Sequence, residues 1–132
     1  MVSGERSVAS TAMSPDSPIN LEELSRLGDT KEGNSSQSFV QEVIELFIHL
    51  APQLYQTARE ALAASDPASV ARAAHKLKSQ AAYFGAARLV QACRQLEIQG
   101  YAGDLSRGER LLDDLEDELD RVLAALEPYR HA

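Results

Sequence analysis

The chain has 132 residues, 44% of them apolar and 25% charged, enough for one packed domain. A net charge of −7, from 20 acidic and 13 basic side chains, opposes binding to a phosphate backbone, and no basic stripe interleaved with aromatics offsets it, so nucleic acid is not an expected partner. No apolar run approaches the roughly 18 residues of a membrane span, and the start lacks a basic-then-apolar leader, so a soluble, cytoplasmic chain with no membrane role is expected. A single cysteine, Cys93, cannot form an internal disulfide and fits a reducing compartment.

Residues 1–18, rich in Ser, Ala, Thr and Pro, read as a flexible tail or linker. A short helix is expected from Asn20, with Asn20 as N-cap, Glu23 completing a capping box and Ile19 stapled to Leu24; Gly28 and Gly33-Asn34 end it. A second helix runs from Ser35 or Ser36 to about Ala64, with Phe39, Val43, Leu46, Phe47, Leu50 and Leu54 as its buried stripe and a kink or break at Pro52. Asp66-Pro67 caps and opens a third helix, which Gly85 closes. A fourth spans Ala86 to about Gln99, with Leu89, Ala92, Cys93 and Leu96 inward and Gly100 and Gly103 in the following loop. The last runs from about Leu105 to Leu126, where Leu112, Leu115, Leu119, Val122 and Leu126 form a bundle seam before Pro128. No segment alternates with period two. The expected fold is all-α: an antiparallel four-helix bundle with a short additional N-terminal helix, occupying 19–127 and followed by a tail at 128–132.

The third helix carries the chemistry. On a wheel Val70, Ala73, Ala74, Leu77, Ala81 and Phe84 share the core face, while His75 points to solvent. Around it the wheel places Ala71 one turn before, Lys78 and Ser79 one turn after, and Ala82 beyond. Small residues beside an exposed imidazole leave room for a partner, and an ammonium and a hydroxyl one turn away suit a phosphoryl group on the ring. Arg72 and Lys76 add positive field, in a stretch from Arg72 to Arg94 that is basic on an otherwise acidic chain. The docking surface expected from this layout includes Ala71, Arg72, Lys76 and Ala82. An imidazole whose ordinary pKa is about 6.5 is a competent nucleophile near neutrality. Against this stands the plain reading that an exposed helical histidine has no special role. His49 reads as an exposed partner of Glu45, His131 as part of a frayed terminus, Gln80 as a solvated side chain, and Cys93 as a small core residue. No carboxylate stands at a suitable offset from His75 along the sequence, so neither a metal-ligand set nor a general base is expected beside it.

The run H-K-L-K-S-Q-A-A-Y-F-G-A from His75 to Ala86, followed by Leu89, Cys93, Leu96 and Glu97, resembles the signature of the histidine-containing phosphotransfer (HPt) family, with Asp66 and Ala74 also in pattern. The resemblance covers roughly 19–127. It implies a four-helix bundle, His75 as phosphoacceptor, Lys78 as the group that steadies the phosphoryl, and Gly85 as a structural residue. Ser79 stands where the family usually has glycine. The resemblance further implies a monomeric relay without a nucleotide or metal site of its own. Its partners would be response-regulator receiver domains, a hybrid histidine kinase, or both, with Mg2+ on the receiver. Freestanding protein and domain of a hybrid kinase both fit. Two other readings stay open: an HPt-like adaptor that binds a receiver or kinase without being phosphorylated, and an enzymatic role, as the dimerisation and phosphoacceptor domain of a histidine kinase or as a dedicated phosphotransferase.

Overall fold

The computed structural model describes residues 17–22, 24 and 36–130. Within them lie four long helices: α1 (Ser36–Ala63), α2 (Pro67–Tyr83), α3 (Ala87–Tyr101) and α4 (Gly108–Leu126). The tail before residue 17, the Glu23 capping box, the breaks at Gly28 and Gly33-Asn34, and His131 fall outside the described residues.

The connections at 64–66, 84–86 and 102–107 are too short to cross the bundle, so consecutive helices run antiparallel. Contacts of α1 with α2, α2 with α3, α3 with α4 and α4 with α1 close the ring. No strand occurs among the described residues. One core fills the ring, with Ile44, Leu77, Leu89, Leu96, Leu112, Leu115 and Leu126 fully buried. Phe47 of α1 and Phe84 at the end of α2 meet with ring centroids 4.7 Å apart and planes tilted by 51°, a favourable aromatic geometry.

The predicted second helix is α1, and its buried stripe is shifted. Val40, Ile44, Phe47, Ala51, Ala58 and Ala61 face the core, whereas Phe39 and Leu46 are exposed, Leu46 by 58%. Two apolar series overlap on this helix, and weighting the larger side chains selects the wrong one where close helix packing favours alanine. The helix passes Pro52 without a break. Proline there removes one backbone hydrogen bond, which the tertiary packing on either side outweighs.

The start of α2 follows its sequence signals. The Asp66 carboxylate accepts from the Ser69 amide at 3.2 Å and the Ser69 hydroxyl at 2.7 Å, with Pro67 in the first turn. At the other end Gly85 adopts φ +59°, and the amides of Gly85 and Ala86 donate to the carbonyls of Ala82 and Ala81, a Schellman closure. The N-terminal segment docks here. The Asn20 amide donates to the Phe84 carbonyl at 2.7 Å, the Asn20 side chain accepts from the Glu22 amide at 3.0 Å, and Ile19, Leu21 and Leu24 are buried. Glu22 and Leu24 are helical.

Two further boundaries differ from expectation. Helix α3 continues through Gly100, which is buried inside the last turn and packs on Pro67 and Ala71 of α2 instead of opening a loop. At the C-terminus Glu127–Tyr129 form a 3-10 turn, and Arg130 donates to the Glu45 carboxylate at 3.1 Å, so ordered structure extends past the expected tail boundary at 128. Arg59 ties α1 to α4 through Glu109 and Asp113, each at 2.7 Å.

Candidate functional site

The helical period that buries Val70, Ala73, Ala74, Leu77, Ala81 and Phe84 puts His75 on the outer side of α2, with its side chain 52% exposed. The partner the sequence did not suggest comes from α3. Glu97, one turn after Cys93 and next to the buried stripe, has a side chain only 11% exposed, and its two carboxylate oxygens face α2 separately. Oε2 lies 2.7 Å from His75 Nδ1, and Oε1 accepts from Lys78 Nζ at 2.5 Å. The expectation of no acidic neighbour and no base beside His75 is thereby corrected: the carboxylate arrives across the helix interface, 22 residues away in sequence. Its signal was legible in one respect, since a glutamate bordering an apolar stripe must find partners.

Burial pushes the Glu97 carboxyl up, but the hydrogen bonds from Lys78 and His75 and the charge of the ammonium outweigh it and hold the group below its ordinary value. Glu97 is therefore ionised at neutral pH and can only accept hydrogen bonds. In the neutral ring this assigns the proton to Nδ1 and leaves the Nε2 lone pair free. In its neutral form the imidazole is thus oriented with Nε2 as the unprotonated nitrogen, braced by a carboxylate and flanked by an ammonium.

The other expected site residues divide. Arg72 is exposed, and its guanidinium donates to the Ser69 hydroxyl at 2.8 Å. Lys76 and Ala82 are exposed. Ala71 is not: it is fully buried where α3 crosses close at Gly100, so it cannot belong to a docking surface. Its place on the wheel is near His75, but the neighbouring helix covers that turn. The Ser79 hydroxyl donates to the His75 carbonyl at 3.1 Å. Gln80, expected as a solvated side chain, instead lines an open groove of about 320 Å3 between α1 and α2, with Leu50, Leu54, His75, Lys76 and Ser79. His49 is exposed, and the Glu45 carboxylate accepts from Arg130. Cys93 is fully buried, and burial, helped by the nearby Glu97 charge, pushes its thiol up to about 12. Among the described residues no group of three or more His, Cys, Asp or Glu side chains could hold a metal ion, and no helix is long and apolar enough to cross a membrane.

The fold is a small antiparallel helical bundle that carries a braced, outward-facing histidine. The chain belongs to the Hpt domain family, whose model matches residues 42–125. These are phosphotransfer modules of two-component signalling and not enzymes in the ordinary sense. The fold is also that of the crystal structure of histidine-containing phosphotransfer protein B (HptB) from Pseudomonas aeruginosa PAO1. The two share 22% sequence identity with a TM-score of 0.75, over 86% of this chain and 94% of that one. None of the curated proteins matches the chain.

Proposed function

We propose that this domain is a phosphorelay intermediate: His75 takes a phosphoryl group from the phospho-aspartate of one receiver domain and passes it to the aspartate of another. The observation that carries the reading is the Glu97–His75 hydrogen bond at 2.7 Å, which frees Nε2 on an exposed ring. In the forward step the Nε2 lone pair attacks phosphorus. The N–P bond forms as the acyl P–O bond breaks, its electron pair returning to the aspartate carboxylate. The proton on Nδ1 stays where Glu97 holds it. Transfer to the second receiver reverses these events.

Such transfer depends on positioning and on neutralising the charge of the phosphoryl oxygens. The receiver would bring Mg2+ together with its aspartate. This chain would bring Lys78, whose ammonium can turn from Glu97 to the phosphoryl group, and Ser79, whose hydroxyl can do the same from the His75 carbonyl. Docking would use the α1–α2 groove beside His75, where Leu50 and Leu54 offer apolar contact, with Arg72, Lys76 and Ala82 at its margins. The domain would act as a cytoplasmic monomer, its four helices completing one bundle.

The test is transfer from a labelled phospho-receiver, with Mg2+, to the wild type and to His75→Gln. Acid-labile, base-stable label on the wild type alone is expected. Equal labelling of both proteins would place the acceptor elsewhere. Binding without any label would favour the adaptor.

A further inference from the structure

Between Pro67 and Tyr101 the chain holds five basic side chains and one acidic one, Glu97, which is buried and paired with Lys78; the other 19 acidic side chains lie elsewhere in the sequence. Helix α4 alone carries seven acidic against two basic. Around the ring α2 and α3 are neighbours, as are α4 and α1, so the bundle is divided lengthwise into a basic half and an acidic half. Asp66 and Asp104 border the basic half, and each is tied to a nearby serine, Ser69 and Ser106. On a chain of net charge −7 this separation leaves α2–α3 as the side on which an anionic partner meets attraction.

Two large apolar side chains interrupt the polar outer surface of α3. Ile98 is 51% exposed and Tyr101 64% exposed, and their spacing along the helix puts them on one face. Arg94, also exposed, stands one turn before Ile98. The direction of this face follows from Glu97, whose carboxylate reaches His75 across the α2–α3 seam. Arg94 and Tyr101 lie one turn before and one turn after Glu97, so they border the seam on its solvent side. The Arg94–Ile98–Tyr101 face therefore opens where His75 emerges, across the seam from the α1–α2 groove. An apolar centre with a charged rim is the composition of an interface, and Tyr and Arg are the side chains that most often anchor one.

We propose that the outer face of α3, with Ile98 and Tyr101 as apolar anchors and Arg94 as cationic rim, is a second docking surface for the phospho-receiver and meets an acidic region of it. The inference rests on the reading of His75 as phosphoacceptor and deepens it. A receiver centred on His75 straddles α2, with the α1–α2 groove on one side and α3 on the other. Charge complementarity selects this occupant: the partner brings a phosphoryl group and the carboxylates that hold its Mg2+. The basic half draws that region in and turns it toward the ring before contact. A second copy of this chain would offer its acidic half to the same face, and the test separates the two.

The test uses the whole chain and three readouts: transfer from a labelled phospho-receiver, uptake from phosphoramidate, and NMR shifts on adding the unphosphorylated receiver. Phosphoramidate is too small to need a docking surface. The Nε2–P bond forms, the P–N bond of the donor breaks, and its nitrogen leaves with the electron pair as ammonia. Arg94→Glu takes phosphoryl from the receiver about tenfold more slowly than wild type at low salt, and the gap closes toward about 1 M salt, where charges are screened beyond about 3 Å. Ile98→Ser/Tyr101→Ser loses about tenfold at every salt concentration, the loss expected on truncating an interface anchor. Both variants take label from phosphoramidate as the wild type does. Asp120→Lys on α4 shifts the net charge as far in the opposite sense and changes transfer far less.

Wild-type transfer in both variants overturns the proposal, because α3 then does not meet the receiver. An equal loss with phosphoramidate overturns it too, because the substitutions then reach the acceptor itself. Growth of the wild type in light scattering at low salt, with the Ile98 and Tyr101 resonances broadened before any receiver is added, would give the face to a second copy instead. A wild type labelled by neither donor would sink the relay reading. The shifts would still decide this one: clustered at residues 94–101 they support it, and absent there they overturn it.

Discussion

Replacing Gly100 by alanine sets two effects of known size against each other. In a helix interior the change gains about 0.8–1.0 kcal/mol of intrinsic propensity. The added methyl carbon, however, would stand 2.8 Å from the Pro67 carbonyl oxygen and 2.9 Å from both Cβ and N of Ala71. Carbon pairs settle at about 3.5–4.0 Å, so α2 and α3 must part by roughly 0.6 Å or more at this turn. Two of the three contacts are backbone atoms, which cannot swing aside. Forced overpacking of this kind costs about 1–3 kcal/mol, so after the propensity gain the net loss is about 0–2 kcal/mol, centred near 1 kcal/mol. For a domain of this size a loss of about 1 kcal/mol lowers Tm by about 3–5 °C. The strain also reaches the site, because Ala71 lies one turn before His75 and Glu97 one turn before Gly100. Thermal unfolding followed by circular dichroism is the assay, with the His75 ring resonances as a second readout. A Gly100→Ala domain as stable as wild type, or more so, would show that propensity wins and that the helices are not held this close.

Three further outcomes follow from the same geometry. Because the folded Glu97 carboxyl is held below its ordinary value, the unfolded chain binds more protons in acid. The stability this group contributes is thus complete above about pH 4.3 and is lost as pH falls through the lower folded value. Glu97→Gln should lose less stability than wild type as the solution is acidified through that range in urea titrations, and an identical acid slope would contradict the ion pairing. Gly85→Ala places a side chain at φ +59° with its Cβ 2.6 Å from the Asn20 carbonyl oxygen, and should cost about 1–3 kcal/mol; an unchanged urea midpoint would refute the docking of the N-terminal segment. Cys93, buried and pushed up to about 12, should resist iodoacetamide in the native protein and react on unfolding. Fast native alkylation would mean that the α3 core face opens.

What the sequence discloses is governed by how local each determinant is. The start of α2 is written in Asp66-Pro67, its end in Gly85, and the core faces of α2 and α4 in single unambiguous apolar series, all of which the fold realises. Helix α1 carries two overlapping series, and the choice between Phe39–Leu46 and Val40–Ile44 is made by neighbouring helices that no window along α1 contains. Gly100 shows the same limit: in sequence it resembles punctuation, while its function is to let α3 approach Ala71. At the site, the exposure of His75 was legible from one helix. The burial of Ala71 and the bond from Glu97 were not, because both are set by the packing of α3 on α2.

The account turns on which ring nitrogen is left free. The most direct measurement is NMR of the phosphorylated domain, with 15N-labelled histidine and 31P detection, to locate the N–P bond. The prediction is a bond to Nε2 of His75 with the proton retained on Nδ1. Phosphorus on Nδ1, or on another residue, would contradict the role assigned to Glu97 and with it the mechanism.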